Sequence, residues 1–333
     1  MVKQSSTPLN RTFTTAPMMD WSDRHCRAFW RLLTKEAVLY SEMVTTGAIL
    51  NNDPQRYLQF NNSEHPVALQ LGGSNPGELA RAAKIGEEFG YDEINLNVGC
   101  PSDRVQNNMI GACLMAHPEL VADCMQAMAE NCSVPVTIKH RTGIDDMADY
   151  DHLYRFVERI HQAGTHTFII HARKAILQGL SPKENREIPP LTYEFVHDIK
   201  KSFPDLEIIL NGGLADLDTM QQQLQHVDGV MVGREAYHNP WILSEVDGRF
   251  YGKAPFSQSR HEVVEAFFPY MEAELQKGNR IAYMSRHILG IFNGLPGARQ
   301  FRRHISENSH RKDAGLSLIK EALAFVPREL TSI

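Results

Sequence analysis

The stretch VPVTIKHRTGIDDMADYDHLYRFVERIHQAGTHTFIIH, residues 134–171, decides the fold class of this 333-residue chain. It opens with a short strand candidate, continues through a helical pattern over Tyr150–Ala163, and ends in a second strand candidate at Thr167–His171. A strand, a helix and a second strand in this order are typical of a parallel sheet whose faces are covered by helices. The same order recurs along the first 240 or so residues.

Eight strand candidates alternate with helices in this part of the chain. Strict alternation of eight strands with helices predicts an α/β fold of the TIM (β/α)8 barrel type rather than an open sheet. The strand candidates are Arg11–Pro17, Val38–Met43, Pro66–Leu71, Glu93–Leu96, Val134–Lys139, Thr167–His171, Glu207–Asn211 and Gly229–Val232. The helix candidates are Asp23–Thr34, Gly77–Phe89, Pro118–Asn131, Tyr150–Ala163, Tyr193–Phe203 and Leu217–His226.

The C-terminal part of the chain has a different pattern, with helical stretches and few strand signals. The loop Asp247–Gln258, which contains Gly248, Gly252 and Pro255, is the predicted joint. We therefore predict a barrel domain over residues 1–243 and a small all-helical domain over residues 244–333. The predicted helices of the second domain are His261–Lys277, Arg280–Phe292, Gly297–Glu307 and Asp313–Phe325.

Composition describes a folded protein with a large core. Hydrophobic residues make up 42% of the chain and charged residues 22%, which excludes compositional disorder. No apolar run approaches the ~20 residues that a membrane helix requires, and the polar N-terminus lacks the apolar region of a signal peptide. We expect a cytoplasmic protein with no membrane partner.

The five cysteines, an odd number with no CxxC pair, do not form the pattern of a disulfide framework or a zinc cluster. We therefore expect no metal site. The net charge of -6 argues mildly against a nucleic-acid partner, but residues 245–333 carry 13 Lys and Arg against 10 Asp and Glu. An acidic body with a basic tail domain can still bind RNA through one face.

Polar, small or reactive residues end all eight predicted strands. In a barrel of this type the functional residues lie at the C-terminal ends of the strands. Glycine pairs or turns after the seventh and eighth strands are the place where such barrels often bind phosphate, so a phosphorylated cofactor is favoured. The strand ends are Pro17, Met18 and Met19, Glu42 and Met43, Gln70, Asn97 to Cys100, Lys139, His171, Asn211, Gly212 and Gly213, and Gly233 with Arg234.

Several of these residues suit a flavin ring. A cation such as Lys139 stabilises the reduced, anionic ring, and the Gln70 amide can donate and accept along its pyrimidine edge. Met18 and Met19 offer a soft apolar surface to a flat ring. The chain has no GxGxxG fingerprint, which argues against a Rossmann dinucleotide domain.

Cys100 lies in the segment NVGCPS, directly after the fourth predicted strand, where Gly99 and Pro101 impose a tight turn. A thiol that stays mostly protonated at neutral pH yet can release its proton suits a general acid. Two other interpretations remain open at this point. Cys100 could be a buried packing residue, or a nucleophile activated by a base such as His171.

Eight segments together resemble the tRNA-dihydrouridine synthases, and are most similar to their bacterial A subfamily. The resemblance covers roughly residues 12–310, and the NxGCPS and SPKENRxIPPL patterns are its most specific parts. The segments are APMMDWSDRHCR at Ala16–Arg27, SEMVTTGAI at Ser41–Ile49, ALQLGG at Ala68–Gly73, INLNVGCPSDRVQ at Ile94–Gln106, IIHARKA at Ile169–Ala175, SPKENREIPPL at Ser181–Leu191, NGG at Asn211–Gly213 and GREAYHNPW at Gly233–Trp241.

The resemblance implies a TIM barrel with a C-terminal helical domain, FMN as cofactor and NADPH as reductant. It implies hydride transfer to C6 of D-loop uridines 20 and 20a of tRNA, with Cys100 donating the proton to C5. The implied FMN contacts are Pro17, Met18, Met19, Gln70, Lys139, His171, Asn211, Gly212, Gly213, Gly233 and Arg234. The implied tRNA contacts are Asn97, Lys183, Glu184, Arg186, Glu187, Arg299 and Arg302.

One departure from the family pattern lies after the cysteine, where Asn108 stands in a stretch that usually contains glycine. Asparagine tolerates left-handed backbone angles better than most residues, so we expect activity to be kept. Two other functions stay open: an FMN-dependent reductase or dehydrogenase of a free pyrimidine, and an RNA-binding protein that keeps the barrel only as a scaffold. We expect a monomer.

Overall fold

A computed structural model of the chain describes residues 9–102 and 109–330. Eight parallel strands form a closed barrel in which each strand pairs with its neighbours in the sequence and β8 pairs with β1. The predicted TIM barrel is therefore confirmed. The strands are β1 Phe13–Thr15, β2 Val38–Thr45, β3 Val67–Gly72, β4 Glu93–Val98, β5 Val136–Arg141, β6 Thr167–His171, β7 Glu207–Asn211 and β8 Gly229–Val232.

The bounds of β6, β7 and β8 match the sequence prediction. Strands β2 to β5 extend one to two residues further at their C-terminal ends than predicted. The main consequence concerns β5, which continues through His140 to Arg141. Lys139 therefore lies inside the strand, opposite Asn97 of β4, instead of ending it.

Helices follow the strands and begin where the sequence supplies caps. Asn75 and Asp149 accept hydrogen bonds from backbone N–H groups of the first turns of the helices that begin at Pro76 and Tyr150, which satisfies donors that a helix leaves unpaired. The helices up to β8 are α1 Arg24–Leu33, α2 Thr46–Leu50, α3 Gln55–Leu58, α4 Pro76–Glu88, α5 Pro118–Asn131, α6 Tyr150–Gln162, α7 Tyr193–Ser202 and α8 Leu217–Gln223.

Two apolar layers support the barrel. Between strands and helices, a large cluster buries residues such as Leu69, Ile138 and Phe168. Inside the barrel, a smaller cluster contains Tyr40 and Ile169. Alternate residues of a strand point to opposite faces, so each strand contributes to both layers.

Further α-helices follow β8 in the described part of the chain. They are α9 Arg234–His238, α10 Val246–Tyr251, α11 Arg260–Ala266, α12 Phe268–Gln276, α13 Ile281–Ser285, α14 Ala298–Asn308 and α15 Leu316–Leu323. The single helix predicted over His261–Lys277 is two helices, because Pro269 in the first turn of α12 has no N–H to continue the hydrogen bonding of α11. The helix predicted over Arg280–Phe292 is limited to the short α13.

The chain divides into two compact units whose boundary differs from the predicted one between Leu243 and Ser244. The first unit contains the chain up to Met19 together with Ala37–Val232, and the second contains Asp20–Glu36 and everything from Gly233 onward. Helix α1 belongs to the second unit because its residues are bound there: Arg24 pairs with Glu274 at 2.6 Å and Asp23 with Arg286 at 2.5 Å.

The predicted joint at Asp247–Gln258 is wrong, since this segment lies wholly within the second unit. It contains most of α10, which ends at Gly252 in a left-handed conformation, φ 63°. The Asp247 carboxylate accepts hydrogen bonds from the Thr34 hydroxyl at 2.5 Å and the Lys35 N–H at 2.6 Å. Glycines and proline here end a helix and shape a loop within one unit. They do not separate two domains.

Candidate active site

A chain of side-chain amides connects strands β3, β4 and β5 inside the barrel. Gln70 Nε2 donates to Asn95 Oδ1 at 2.8 Å, and Asn97 Nδ2 donates to Gln70 Oε1 at 2.8 Å. Asn95 in turn donates to the Thr137 hydroxyl at 2.8 Å. Gln70, Asn95 and Thr137 are buried, so these hydrogen bonds replace the water contacts that the amides lose on folding. The position of the predicted Gln70 is thereby fixed.

The Cys100 turn is bound from both sides. Asn97 Oδ1 accepts hydrogen bonds from the N–H groups of Gly99 and Cys100, both at 3.0 Å. The carbonyl of Cys100 accepts from Ala112 N at 2.9 Å, next to Gly111. Gly111 has φ 84°, and a Cβ there would collide with that carbonyl, so glycine is required. Cys100 itself is half-buried; Asn108 lies outside the described residues.

Asn97, predicted to contact tRNA, thus has a structural task that the sequence did not reveal. Its carbonyl oxygen forms a local turn with the two backbone N–H groups, a type of contact that asparagine side chains often make. A tRNA contact by Asn97 stays a prediction.

Lys139 lies on β5 in register with Asn97. Burial, followed by the charge of the neighbouring Arg141, lowers the pKa of Lys139 to about 7, although Cys100 acts in the opposite direction. Near neutral pH this amine is therefore present in both protonation states. An anion bound beside it would favour the charged form.

Arg141 connects the Cys100 turn to the loop after β6. Its Nε donates to the carbonyl of Gly99 at 2.9 Å, and its Nη1 donates to the carbonyls of Lys174 at 3.1 Å and Asn185 at 3.0 Å. Burial lowers the pKa of Arg141 to about 10. Sequence reasoning missed this residue, although its place two positions after Lys139 on a strand puts both on the same face.

His171 ends β6 and packs against the turn after β7. A Cβ on Gly212 would lie 2.6 Å from Cδ2 of the His171 ring, so glycine allows the imidazole to approach the backbone. The Tyr193 hydroxyl donates to the Gly212 carbonyl at 2.6 Å, and Asn211 Nδ2 donates to Met231 O at 2.8 Å. Burial and the nearby cations, Arg141 foremost, hold the pKa of His171 well below its usual value, so the ring is neutral.

The remaining predicted flavin contacts flank β1 and β8. Pro17, Met18 and Met19 follow β1; Met18 packs against the apolar cluster inside the barrel and Met19 is exposed. Gly233 and Arg234 directly follow β8 and start α9, within the second unit. Their binding roles stay predictions.

The segment Ser181–Glu187 forms a compact loop around Asn185. The Asn185 side chain is buried and exchanges hydrogen bonds with the backbone of Ile176, at 2.7 Å and 2.8 Å. Glu184 accepts from Ser181 N at 2.8 Å, which closes the loop. Of the predicted tRNA contacts here, Lys183, Glu184 and Glu187 are exposed and Arg186 is half-buried.

Arg299 and Arg302, the predicted tRNA contacts of the second unit, lie on α14. Arg299 is exposed, whereas Arg302 is half-buried and donates to Asn293 Oδ1 at 2.6 Å. The neighbouring Arg303 pairs with Glu307 at 2.8 Å. Arg299 is therefore the more accessible cation of the predicted pair.

The other four cysteines have the environments of packing residues. Cys26 and Cys124 are buried, and Cys113 and Cys132 are half-buried. Burial raises the pKa of Cys124 to about 12 and that of Cys132 to about 11. Across residues 9–102 and 109–330, no three His, Cys, Asp or Glu side chains are grouped so that they could hold a metal ion. Over the same ranges, no helix has the length and apolarity to cross a membrane.

Structural comparison supports the barrel alone. A 2-naphthoyl-CoA reductase complex has a TM-score of 0.54 to this chain at 10% identity, and the match covers 71% of this chain and 49% of the reductase. At such low identity the comparison shows a shared fold and gives no information about the reaction.

Sequence comparison is much more specific. Proteins named tRNA-dihydrouridine(20/20a) synthase are 56% identical in Shewanella oneidensis (97% of this chain, 96% of the relative) and 56% identical in Vibrio parahaemolyticus (95% and 97%). The protein of the same name in Pseudomonas putida is 55% identical (94% and 94%). The family model described as Dihydrouridine synthase (Dus) matches residues 14–326. This chain belongs to the dihydrouridine synthase family.

Proposed function

We propose that this protein is a tRNA-dihydrouridine synthase that reduces the C5–C6 double bond of uridines 20 and 20a in the tRNA D-loop. The observation that carries the proposal is the Cys100 turn, bound by Asn97, which lies opposite Lys139 in the sheet, in a chain of this family. The two positions rest on the name shared by relatives that are 55–56% identical over almost the whole chain.

The groups at the carboxyl ends of the strands fit FMN as the flavin. The pKa of Lys139 is lowered by burial and by the charge of Arg141, so its ammonium form is destabilised. An anionic ring or a phosphate bound at this site would stabilise that form. Gln70 gives one amide hydrogen to Asn95, and within the described residues its second one stays available to a ligand. Neutral His171 adds a polar face.

The remaining contacts to FMN are proposed from the family resemblance. They are Pro17, Met18 and Met19 after β1, Asn211, Gly212 and Gly213 after β7, and Gly233 and Arg234 after β8. NADPH is the proposed reductant. We also propose that the enzyme is a cytoplasmic monomer.

A reduced flavin, when bound, supplies the hydride that adds to C6 of the uracil ring. The Cys100 thiol holds the proton that C5 receives, so one hydride and one proton saturate the double bond and leave Cys100 as a thiolate. Lys139, which interacts electrostatically with Cys100, offsets the charge of the thiolate until a proton from solvent restores the thiol. The turn that Asn97 holds keeps the sulfur in one place throughout.

The target uridine must leave its stack to reach this site, which costs less for a loop base than for a paired one. Exposed Lys183 and half-buried Arg186 on the Ser181–Glu187 loop, with the exposed Arg299 on α14, are the proposed cationic contacts to the tRNA backbone. Glu184, Glu187 and Arg302 complete the proposed set. Phosphate contacts of this kind make binding depend on salt concentration.

The test compares Cys100→Ala with Cys113→Ala, a matched control because Cys113 is also half-buried. Cys100→Ala should stop dihydrouridine formation while flavin content and NADPH oxidation persist, and Cys113→Ala should behave as the wild type. Normal product from Cys100→Ala would refute the proton-donor role.

The alternative function, reduction or dehydrogenation of a free pyrimidine, predicts a different substrate profile. Turnover of uridine monophosphate or orotate without turnover of tRNA would favour it. Sequencing of tRNA from a deletion strain, with loss of dihydrouridine at positions 20 and 20a, would favour the tRNA enzyme.

A further inference from the structure

The row of hydrogen-bonded side chains that ends at the Cys100 turn begins at a buried carboxylate, at the N-terminal end of β4. Glu93, the first residue of β4, is fully buried and pairs with Arg11 at 2.6 Å. It also accepts hydrogen bonds from the Thr137 hydroxyl at 2.5 Å and from the Tyr40 hydroxyl. Glu93, Asn95 and Asn97 alternate along β4, so all three side chains point into the barrel.

The Glu93 carboxylate fixes the donor-to-acceptor direction of every hydrogen bond in this row of side chains. A carboxylate can only accept hydrogen bonds, so the Thr137 hydroxyl donates its single hydrogen to Glu93. The Thr137 oxygen must therefore accept the hydrogen bond from Asn95 Nδ2. Asn95 Oδ1 therefore faces Gln70 Nε2, and Gln70 Oε1 faces Asn97 Nδ2.

The last member of the chain is Asn97, whose Oδ1 is left to face the N–H groups of Gly99 and Cys100. If the amide of Asn97 were rotated by 180°, its NH2 group would face those two N–H groups, and both hydrogen bonds of the turn would be lost. The orientations of three amides thus follow from one carboxylate. Arg11, whose pKa is raised by Glu93 and Glu207 although burial alone would lower it, keeps the carboxylate paired.

We propose that Glu93, Thr137 and Asn95 are positioning residues for Cys100, acting through this directed hydrogen-bond chain. The proposal rests on the proposed function, in which Cys100 is the proton donor. Thr137 is the most informative member because it is fully buried inside β5 and is connected to the Cys100 turn by the hydrogen bonds of Asn95, Gln70 and Asn97. A thiol displaced by ~1 Å from its reactive position can lose up to about 100-fold in rate.

The variants separate the effect of the Thr137 hydrogen bonds from the effect of its side-chain packing. Thr137→Val removes the hydroxyl but keeps the shape, and Thr137→Ser keeps the hydroxyl. Tyr40→Phe is the matched control. It removes a hydroxyl that binds Glu93 and also interacts with Thr137, but it leaves the hydrogen bonds from Thr137 to Glu93 and from Asn95 to Thr137 in place. Thr137→Ala removes the same hydroxyl and serves if the valine variant does not fold.

Two measurements are made on the flavin-loaded enzyme. The first is kcat and KM for tRNA. The second is the rate at which iodoacetamide alkylates Cys100, followed by peptide mass spectrometry with Cys113 as the internal reference. We expect Thr137→Val to lower kcat by about tenfold or more with KM unchanged, and to change alkylation at Cys100 alone. Thr137→Ser and Tyr40→Phe should keep wild-type kcat.

Wild-type kcat and alkylation in a folded Thr137→Val or Thr137→Ala enzyme would overturn the proposal. Equal impairment of Thr137→Ser and Thr137→Val would also overturn it, because the hydroxyl would then be irrelevant. The alkylation measurement needs no turnover. It therefore tests the positioning of Cys100 even if Cys100→Ala proves active and the proposed proton-donor role fails.

Discussion

Replacement of Arg141 by methionine tests whether the Cys100 turn and the Ser181–Glu187 loop act together. Methionine keeps an unbranched apolar stem and removes the guanidinium. The carbonyls of Gly99, Lys174 and Asn185 then lose the donor that they share. These carbonyls belong to the Cys100 turn and to the loop after β6, so one substitution loosens both.

The structure sets the size of the effect on the free energy of unfolding. Three hydrogen bonds from a cation contribute about 1.5–3 kcal/mol each, or roughly 5–9 kcal/mol together. Burial opposes this, because lowering the pKa of Arg141 to about 10 corresponds to about 3 kcal/mol against the charged form. The hydrogen bonds outweigh the burial, and we expect Arg141→Met to destabilise the protein by about 4 kcal/mol.

Activity should fall by more than the loss of folded protein explains. Urea unfolding gives the change in stability, and dihydrouridine formation is measured where each variant is fully folded. We expect a lower kcat because the Gly99–Cys100 turn is less constrained, and a higher KM for tRNA because the loop that carries Lys183 and Arg186 is released. Arg141→Lys should be intermediate, since an ammonium lacks the planar fork that reaches separated carbonyls.

Arg159→Met is the control, because Arg159 is a partly exposed arginine paired with Glu119 at 2.7 Å on the outside of the first unit. Arg159→Met should change the free energy of unfolding, kcat and KM only slightly. An Arg141→Met enzyme that loses stability but keeps wild-type kcat and KM would refute the coupling. One that keeps its stability as well would refute the energetic argument.

Two further predictions concern cofactor and tRNA binding. The ammonium form of Lys139 is lost as pH rises through about 7 in the flavin-free protein, so FMN binding should take up a proton and weaken above that pH. Calorimetry in two buffers at pH 8 should detect this uptake in the wild type and not in Lys139→Met; equal uptake in both would contradict it. Arg299→Ala should reduce the slope of log K for tRNA binding against log salt concentration by about one. Arg303→Ala should reduce this slope less, because the Arg303 guanidinium already pairs with Glu307. Equal salt slopes for the two variants would argue against a phosphate contact at Arg299.

The barrel could be predicted from the sequence because each strand and helix carries its own local pattern. Thr167–His171 is a short apolar run between a helix and a reactive histidine, and the strand has those bounds in the structure. The division of the chain could not be predicted, because α1 joins the second unit through pairs more than 240 residues apart, such as Arg24 with Glu274. No local pattern records such a pair.

The residues at the ends of β6 and β7 could also be predicted, whereas Gln70 and Lys139 lie inside their strands, and the residues that orient them could not be predicted. Asn95 and Thr137 stand in the middle of strands, where a polar residue only weakens the apolar pattern. Their role depends on the register that sets Asn95 opposite Thr137 and Gln70 opposite Asn95. Arg141 was missed for a related reason, since β5 ends two residues beyond the predicted end at Lys139.

The geometry of Asn97 limits how it can meet the substrate. Its Oδ1 already accepts two hydrogen bonds and its Nδ2 gives one hydrogen to Gln70, so among the described residues one N–H is left. A direct contact with the target base must therefore be a single donated hydrogen bond, for which a uracil carbonyl is a suitable acceptor. Because the same amide sets the Cys100 turn, the proposed recognition of the base and the proposed placement of the proton donor depend on one side chain.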